Sequence, residues 1–140
     1  MARRMAEVLG TLGSERALVV HGEDGMDELT ITGPSQVWEL KDGSVTEYAF
    51  TPDSVGLQTA DAGTLAATSP DDSAATVRSV LGGTFGPARD VVLLNAAAAL
   101  AVGDAAQSLS DGVALASESI DSGAASRVLT GLAELSQTLE

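Results

Sequence analysis

Cysteine is absent from this 140-residue chain, and basic residues are scarce. Without a thiol there can be no disulfide, thiolate-held metal or cysteine nucleophile, and a zinc site is not expected. No apolar run is long enough for a signal core or a membrane span, so we expect a cytoplasmic protein without a membrane partner. Lys and Arg number 7 against 20 Asp and Glu, and the formal charge of −13 argues against nucleic acid as a partner.

Aromatic residues are also few, at 3% of the chain, although hydrophobic residues together reach 44%. The total is normal for one globular domain with a buried core. Because alanine and glycine are abundant, we expect helices that pack closely through small side chains. A second surface is then needed to complete the core.

The hydrophobic pattern predicts an α/β chain without an internal repeat or a dividing linker. Ala17 to Val20 is typical of a strand covered on both faces, as in a parallel sheet. From Leu29 to Phe50 the pattern is β-type, and Asp42-Gly43 indicates a hairpin turn. The stretch from Thr51 to Pro70 reads as irregular surface chain that begins with a loop or short helix. Helices are predicted at Ala2 to Leu12, Ser73 to Leu81, Pro87 to Val102, Leu109 to Ser122 and Ala124 to Leu139. The third helix is apolar on every side and is expected to be buried all round.

The densest polar segment is HGEDGMDEL, residues 21 to 29, which places four carboxylates within six residues after the apolar strand. In open α/β sheets this end of a strand is where ligands bind. Asp27 and Glu28 are adjacent, so on an extended loop one could hold a metal ion while the other bridges to a second. Magnesium suits such a pair because it takes few carboxylates, retains waters and accepts substrate phosphate oxygens. The alternative is an acidic loop that faces solvent.

Other polar residues have a structural interpretation beside a functional one, and we favour the structural one. His21 is either a base or a hydrogen-bonding residue at the strand end, and no nucleophile motif accompanies it. Asn95 lies inside the apolar helix, where its amide must find partners in a neighbouring element or a substrate. Arg89 opposes the helix dipole and must be compensated by Asp90, another carboxylate or a substrate phosphate. The glycines of GGTFG, residues 82 to 86, follow a helix and are predicted to be helix caps rather than a phosphate loop.

Three segments resemble the anthranilate phosphoribosyltransferases, in register across nearly the whole chain. They are RALVVHGEDGMDELTITGPSQVWELKDG (16 to 43), GPARDVVLLNAAAAL (86 to 100) and DGVALASESIDSGAA (111 to 125). The related pyrimidine-nucleoside phosphorylases share the architecture, but we would not expect this hairpin sequence in them. The resemblance implies an α/β fold: part of a nucleoside phosphorylase/phosphoribosyltransferase-type catalytic domain, with a mixed sheet, a hairpin and several helices.

The resemblance also implies an activity in tryptophan biosynthesis. Family members transfer the phosphoribosyl group from phosphoribosyl pyrophosphate to the amine of anthranilate and release pyrophosphate. The family's adjacent Asp-Glu pair, here Asp27 and Glu28, binds the magnesium ions that hold the pyrophosphate, so Mg²⁺ is the expected cofactor. No covalent catalytic residue is expected, and substrate-binding residues are not assigned.

The chain also departs from the family pattern. Family members are longer, with an N-terminal helical domain, a GTGGD loop, a KHGNR segment and a serine-rich stretch that do not occur in this sequence. Residues 1 to 140 are therefore expected to be the C-terminal part of a single α/β catalytic domain, inactive when isolated. The alternative is a non-catalytic remnant or interaction module. Exposed apolar surface on such a chain predicts self-association.

Overall fold

A computed structural model describes residues 1–61 and 63–138. Within them the chain is α/β, as the sequence predicts, with a short 3-10 helix after the third strand. The elements in chain order are α1 Ala2–Thr11, β1 Arg16–Gly22, β2 Ser35–Lys41, β3 Ser44–Phe50, the 3-10 helix Pro52–Val55, α2 Pro70–Leu81, α3 Pro87–Val102, α4 Leu109–Asp121 and α5 Ala124–Ser136. The three strands lie side by side in the order β1-β2-β3.

The predicted hairpin is confirmed. β2 and β3 are antiparallel, with Val37 opposite Tyr48 and Leu40 opposite Val45. At the turn Asp42 has a φ of 50° and Gly43 a φ of 73°. Two successive left-handed residues match the right-handed twist of the flanking strands, and Asp-Gly tolerates them well.

The parallel setting expected for the first strand is wrong for the described sheet. β1 runs antiparallel to β2, with Val20 opposite Val37, and its Ala17 to Val20 stretch is only half-buried. The β-type segment also begins at Ser35 rather than Leu29. The backbone of Leu29 and Thr30 bonds to the side chains of Asn95 and Ser35, so these residues do not join a strand ladder.

Helix boundaries depart from the predictions mainly at caps. α2 begins at Pro70, three residues before Ser73, because the Ser69 hydroxyl accepts a hydrogen bond from the Asp72 amide at 3.1 Å. Proline is pre-set for a first helical position, which strengthens this start. α4 ends at Asp121, where Ser122 is the cap, and α5 ends at Ser136. Leu139, the predicted end of the last helix, lies outside the described residues.

The core has two parts that α3 joins. The first packs the sheet and the segment after β1 against α3, and its buried members are Leu29, Ile31, Val37, Phe50 and Leu94. The second packs α2, α3 and α4 together through Val80, Leu93, Ala116 and Ile120. A Cβ built on Gly112 of α4 would lie 2.8 Å from the Cα of Ala97 in α3, so these helices do pack through small residues.

The prediction that α3 is buried all round is wrong for one of its faces. Val92 is 41% exposed, and with Leu115 it lines an open apolar groove of about 640 Å³ between the helices. The described elements supply no layer over this face, although the helix sequence is apolar there. None of the described helices combines the length and the apolar character needed to cross a bilayer.

Candidate functional site

The acidic segment forms a tight loop after the carboxyl end of β1. The Gly22 amide donates to the Met26 carbonyl at 2.8 Å, and the Gly25 amide donates back to the Gly22 carbonyl at 3.0 Å. The Glu23 amide reaches across to the carbonyl of Pro34 at 3.0 Å, just before β2. Gly25 has a φ of 98°, which side chains other than glycine seldom adopt. The backbone is therefore folded on itself at the sheet edge where the sequence predicts a ligand site.

Asp24 is bonded to its own loop. Its Oδ2 accepts hydrogen bonds from the hydroxyls of Thr30, at 2.6 Å, and Thr32, at 2.5 Å. Its Oδ1 accepts from the Met26 amide at 3.2 Å. The hydrogen bond from Thr30, followed by that from Thr32, lowers the pKa of the Asp24 carboxyl below its usual value. The carboxylate therefore ties the start of the loop to its end in ionised form.

Asn95 connects the same segment to the core. Its side-chain oxygen accepts from the Leu29 amide at 3.0 Å, and its nitrogen donates to the Leu29 carbonyl at 2.8 Å. The nitrogen also donates to the Val91 carbonyl, one turn earlier in α3, at 2.9 Å. The predicted polar link between buried elements is confirmed.

Asp27 and Glu28 lie between these two fixed points, and both are exposed. In the described part of the chain, neither carboxylate has a hydrogen bond or ion pair to another residue. The described residues also contain no group of three or more His, Cys, Asp or Glu side chains placed to hold a metal ion. Two uncommitted carboxylates fit a magnesium ion that keeps most of its waters and shares substrate oxygens, whereas they do not form a preformed cage.

His21 stands beside this loop but does not enter its hydrogen-bond network. It lies in β1 opposite Gln36, and it is exposed. Across residues 1–61 and 63–138 its imidazole has no hydrogen-bonding partner, so the structural bond that we favoured for it is not formed. No hydroxyl group of those residues is hydrogen-bonded to it either.

Arg89 is compensated by a carboxylate, as the sequence analysis favours, and the main partner is Asp121 rather than Asp90. Arg89 is 2% exposed, and its guanidinium donates to both Asp121 oxygens, at 2.8 and 2.9 Å. It also donates to the Ser117 hydroxyl at 2.8 Å and lies 4.7 Å from the centre of the Phe85 ring. Its buried charge therefore holds α3, α4 and the preceding turn together.

The GGTFG segment forms helix ends, as predicted. Gly82 is the C-terminal cap of α2 and Gly86 the N-terminal cap of α3. The segment directly follows helix α2 instead of a strand, so it lacks the context of a phosphate loop.

Sequence reasoning missed the roles of Asp24 and Asp121. The sequence-based prediction gives Asp24 no role of its own among the four carboxylates, although a short acid followed by threonines can indicate a loop closed by side chains. No local signal connects Asp121 to Arg89, because 32 residues separate them. Only packing of α3 on α4 brings that pair together.

Comparison with known proteins gives consistent matches. A family model described as "Glycosyl transferase family, a/b domain" matches residues 1–126. The anthranilate phosphoribosyltransferase of Moorella thermoacetica is 53% identical over 132 residues, which make up 94% of this chain and 39% of that protein. The crystal structure of anthranilate phosphoribosyltransferase from Thermus thermophilus superimposes with a TM-score of 0.83 at 42% identity, covering 92% of this chain and 38% of that one.

A further solved structure is the anthranilate phosphoribosyltransferase of Saccharomyces cerevisiae in complex with PRPP and Mg. It superimposes with a TM-score of 0.81 at 26% identity, covering 92% of this chain and 38% of that one. The chain spans about two fifths of the length of the curated relatives it matches.

Proposed function

Since the chain belongs to the glycosyl transferase family with an a/b domain and resembles anthranilate phosphoribosyltransferases, we propose that it contributes to phosphoribosyl transfer from phosphoribosyl pyrophosphate to anthranilate in tryptophan biosynthesis. The observation that carries the proposal is the braced loop after β1, which presents two uncommitted carboxylates in a chain with 53% identity to such an enzyme. We propose that residues 1–140 correspond to the C-terminal part of its single catalytic domain.

In this proposal Asp27 and Glu28 hold Mg²⁺. Both supply the hard oxygen ligands that the ion prefers, and both are open to solvent, so the ion can retain waters and meet phosphate oxygens. When bound, the ion would neutralise charge on the departing pyrophosphate and orient it. The protein's remaining task is to position the two reactants, which needs no covalent intermediate.

We expect the 140-residue chain by itself to show no anthranilate phosphoribosyltransferase activity. It spans about two fifths of its relatives, and a metal pair alone does not bring two substrates into reacting geometry. The measurement is phosphoribosyl anthranilate formation by the purified chain with both substrates and magnesium. Turnover well above that of a heat-denatured sample would contradict this expectation.

Removal of either proposed metal ligand should impair magnesium-dependent catalysis in a longer protein, made by joining this chain to the N-terminal portion of a relative. Asp27→Asn and Glu28→Gln keep side-chain size but remove a charged ligand. We expect each to lower turnover at least about tenfold, since even the loss of an outer partner of a metal ligand costs about 10- to 100-fold in affinity or activity. Rates measured across a magnesium titration would show the defect.

Glu23→Gln is the matched control for that experiment, because Glu23 is an exposed acid of the same loop without a proposed role. It should retain normal magnesium dependence. Normal activity in both the Asp27 and the Glu28 variant would overturn the metal assignment. The joined protein without substitutions must itself be active with both substrates. If it folded but had no activity, a non-catalytic interaction module would become the better proposal.

The open apolar surfaces support a second proposal, that the isolated chain self-associates. The exposed side chains are Met5 and Val8 of α1 with Leu12, which caps that helix, and Val128, Leu132 and Leu135 of α5. In both helices the three-and-four spacing places these side chains on one face. The charge of −13 opposes association of two copies at low salt, and added salt screens that repulsion.

Light scattering should therefore report a rise in mass as salt increases, accompanied by binding of a dye specific for apolar surface. A single substitution such as Leu132→Glu should reduce both signals, whereas Thr130→Glu, two residues away on the opposite side of the same helix, should not. A chain that unfolds cooperatively, binds no dye and stays monomeric at high salt would contradict self-association.

A further inference from the structure

We infer that Asp24 is a positioning residue for the Asp27–Glu28 pair, acting through Thr30, Thr32 and the Met26 amide. The inference rests on the proposed function, because it assumes that Asp27 and Glu28 are the metal ligands. It assigns Asp24 a different role from its two acidic neighbours: Asp24 fixes the loop, and they face the ion.

The hydrogen bonds of Asp24 separate it from the proposed ligands. Oδ2 already accepts two hydroxyl hydrogen bonds, from Thr30 and Thr32, and Oδ1 accepts one from the Met26 amide. Coordination of a metal by Asp24 would compete with these bonds. Asp27 and Glu28 have no partner among the described residues, so binding an ion would break none of their hydrogen bonds to those residues. Asp24, whose oxygens accept hydrogen bonds from the loop, therefore orients it. Asp27 and Glu28, whose oxygens accept none from the described residues, supply the metal ligands.

The two anchors lie immediately before and after the pair. Asp24 holds the amide of Met26, the residue before Asp27. Asn95 holds both backbone groups of Leu29, the residue after Glu28. Three peptide steps join Met26 to Leu29, so their Cα atoms are at most about 11 Å apart. With both ends fixed over so short a span, few backbone conformations remain for the two intervening residues.

Close packing at Gly22 also depends on Asp24. A Cβ added to Gly22 would lie 2.5 Å from Asp24 Oδ1 and 3.0 Å from the Cβ of Thr30. Gly22 therefore lies so close to the Asp24 carboxylate that a residue with a side chain would fit there only if its neighbours moved. Asp24, Thr30 and the Gly22 backbone form one packed unit, and Asp27 and Glu28 project from the loop that this unit closes.

The experiment uses the isolated 140-residue chain with Mn²⁺ alone, because Mn²⁺ shares the oxygen-rich octahedral coordination of Mg²⁺ and broadens nearby NMR signals. Affinity is read from the broadening of the Asp27 and Glu28 amide signals during a Mn²⁺ titration. Asp24→Ala removes all three hydrogen bonds and should weaken the apparent affinity about tenfold, the lower limit for loss of an outer partner of a metal ligand. Hydrogen exchange at the Met26 amide should accelerate in the same variant.

Control variants separate positioning from charge and from general destabilisation. Glu23→Gln removes the same charge one residue earlier and should change affinity by no more than about twofold, since an exposed charge acts weakly. Thr32→Ser keeps the hydroxyl that bonds Asp24 and should retain the affinity of the parent, whereas Thr32→Val should weaken it. Urea unfolding of each variant shows whether the effect follows overall stability instead of the hydroxyl.

The outcomes distinguish the inference from the function on which it rests. Broadening that is not centred on Asp27 and Glu28 in the parent chain would overturn the metal assignment and the positioning role together. If the broadening is centred on Asp27 and Glu28, and Asp24→Ala binds Mn²⁺ as strongly as Glu23→Gln does, only the positioning role would be overturned. Equal weakening by Thr32→Ser and Thr32→Val would likewise contradict the hydroxyl-mediated role of Asp24.

Discussion

Replacing Arg89 with methionine should destabilise the chain by about 2 kcal/mol, because it breaks the ion pair between α3 and Asp121 of α4. Arg89 is 2% exposed, and its guanidinium bonds to Asp121, Ser117 and the Gly83 carbonyl. Methionine fills similar space, but it leaves those groups without their donor. The expected cost is below the roughly 3–5 kcal/mol of a fully buried broken pair, because Asp121 is 51% exposed and stays hydrated.

Urea unfolding monitored by circular dichroism provides the measurement. Asp121→Ala should lower the urea midpoint further than Arg89→Met, because it leaves a buried cation instead of a half-exposed anion. Glu118→Ala, on the same helix and exposed, is the control and should change stability by less than about 0.5 kcal/mol. An Arg89→Met midpoint equal to that of Glu118→Ala would show that the ion pair adds nothing to stability.

The Arg89–Asp121 pair should also make the free energy of unfolding depend on pH. Hydrogen bonds from Arg89 are the main cause that lowers the pKa of the Asp121 carboxyl below its ordinary 3.8. Because the pKa of Asp121 is lower in the folded than in the unfolded chain, the pair contributes fully to the free energy of unfolding above pH 3.8. This contribution is lost as the pH falls through the lower, folded-state pKa. Arg89→Met should therefore reduce the slope of stability against pH below about pH 4. The measurement is the urea midpoint at successive pH values.

The second large effect is expected at Gly112, where α4 crosses α3. A Cβ there would lie 2.8 Å from the Cα, Cβ and carbonyl oxygen of Ala97, and the two backbone atoms cannot rotate away. Alanine favours a helix over glycine by about 1 kcal/mol, whereas overpacking a core costs about 1–3 kcal/mol. Because the contact here is with backbone, we expect Gly112→Ala to give a net loss of about 2 kcal/mol.

Gly131→Ala is the matched control, since Gly131 also lies within a helix but nothing approaches its added Cβ within 4 Å. It should stabilise the chain by about 0.5–1 kcal/mol through helix propensity alone. Opposite changes in the thermal midpoint would therefore separate the steric cost from the propensity gain. If Gly112→Ala also raised the midpoint, the close approach of α3 and α4 would be wrong.

Local signals determined much of the secondary structure. Asp42-Gly43 specifies its turn because each residue accepts a left-handed backbone without help from distant contacts. Pro87 begins α3 for a similarly local reason, since its ring fixes φ at a helical value. The adjacent Asp27 and Glu28 are predicted as metal ligands from their place after the first strand and from the family resemblance, and their assignment stays a prediction.

Only the tertiary structure decided which polar residues hold the candidate site and the core in place. Asn95 meets Leu29 across 66 residues, and Arg89 meets Asp121 across 32, so no sequence spacing predicts either contact. Even Asp24, close in sequence to its partners, differs from Asp27 only because the loop folds back and brings Thr30 and Thr32 to its carboxylate. Composition and periodicity act on neighbouring residues, whereas the partner of a buried polar group is fixed when packing excludes water and requires it to be satisfied.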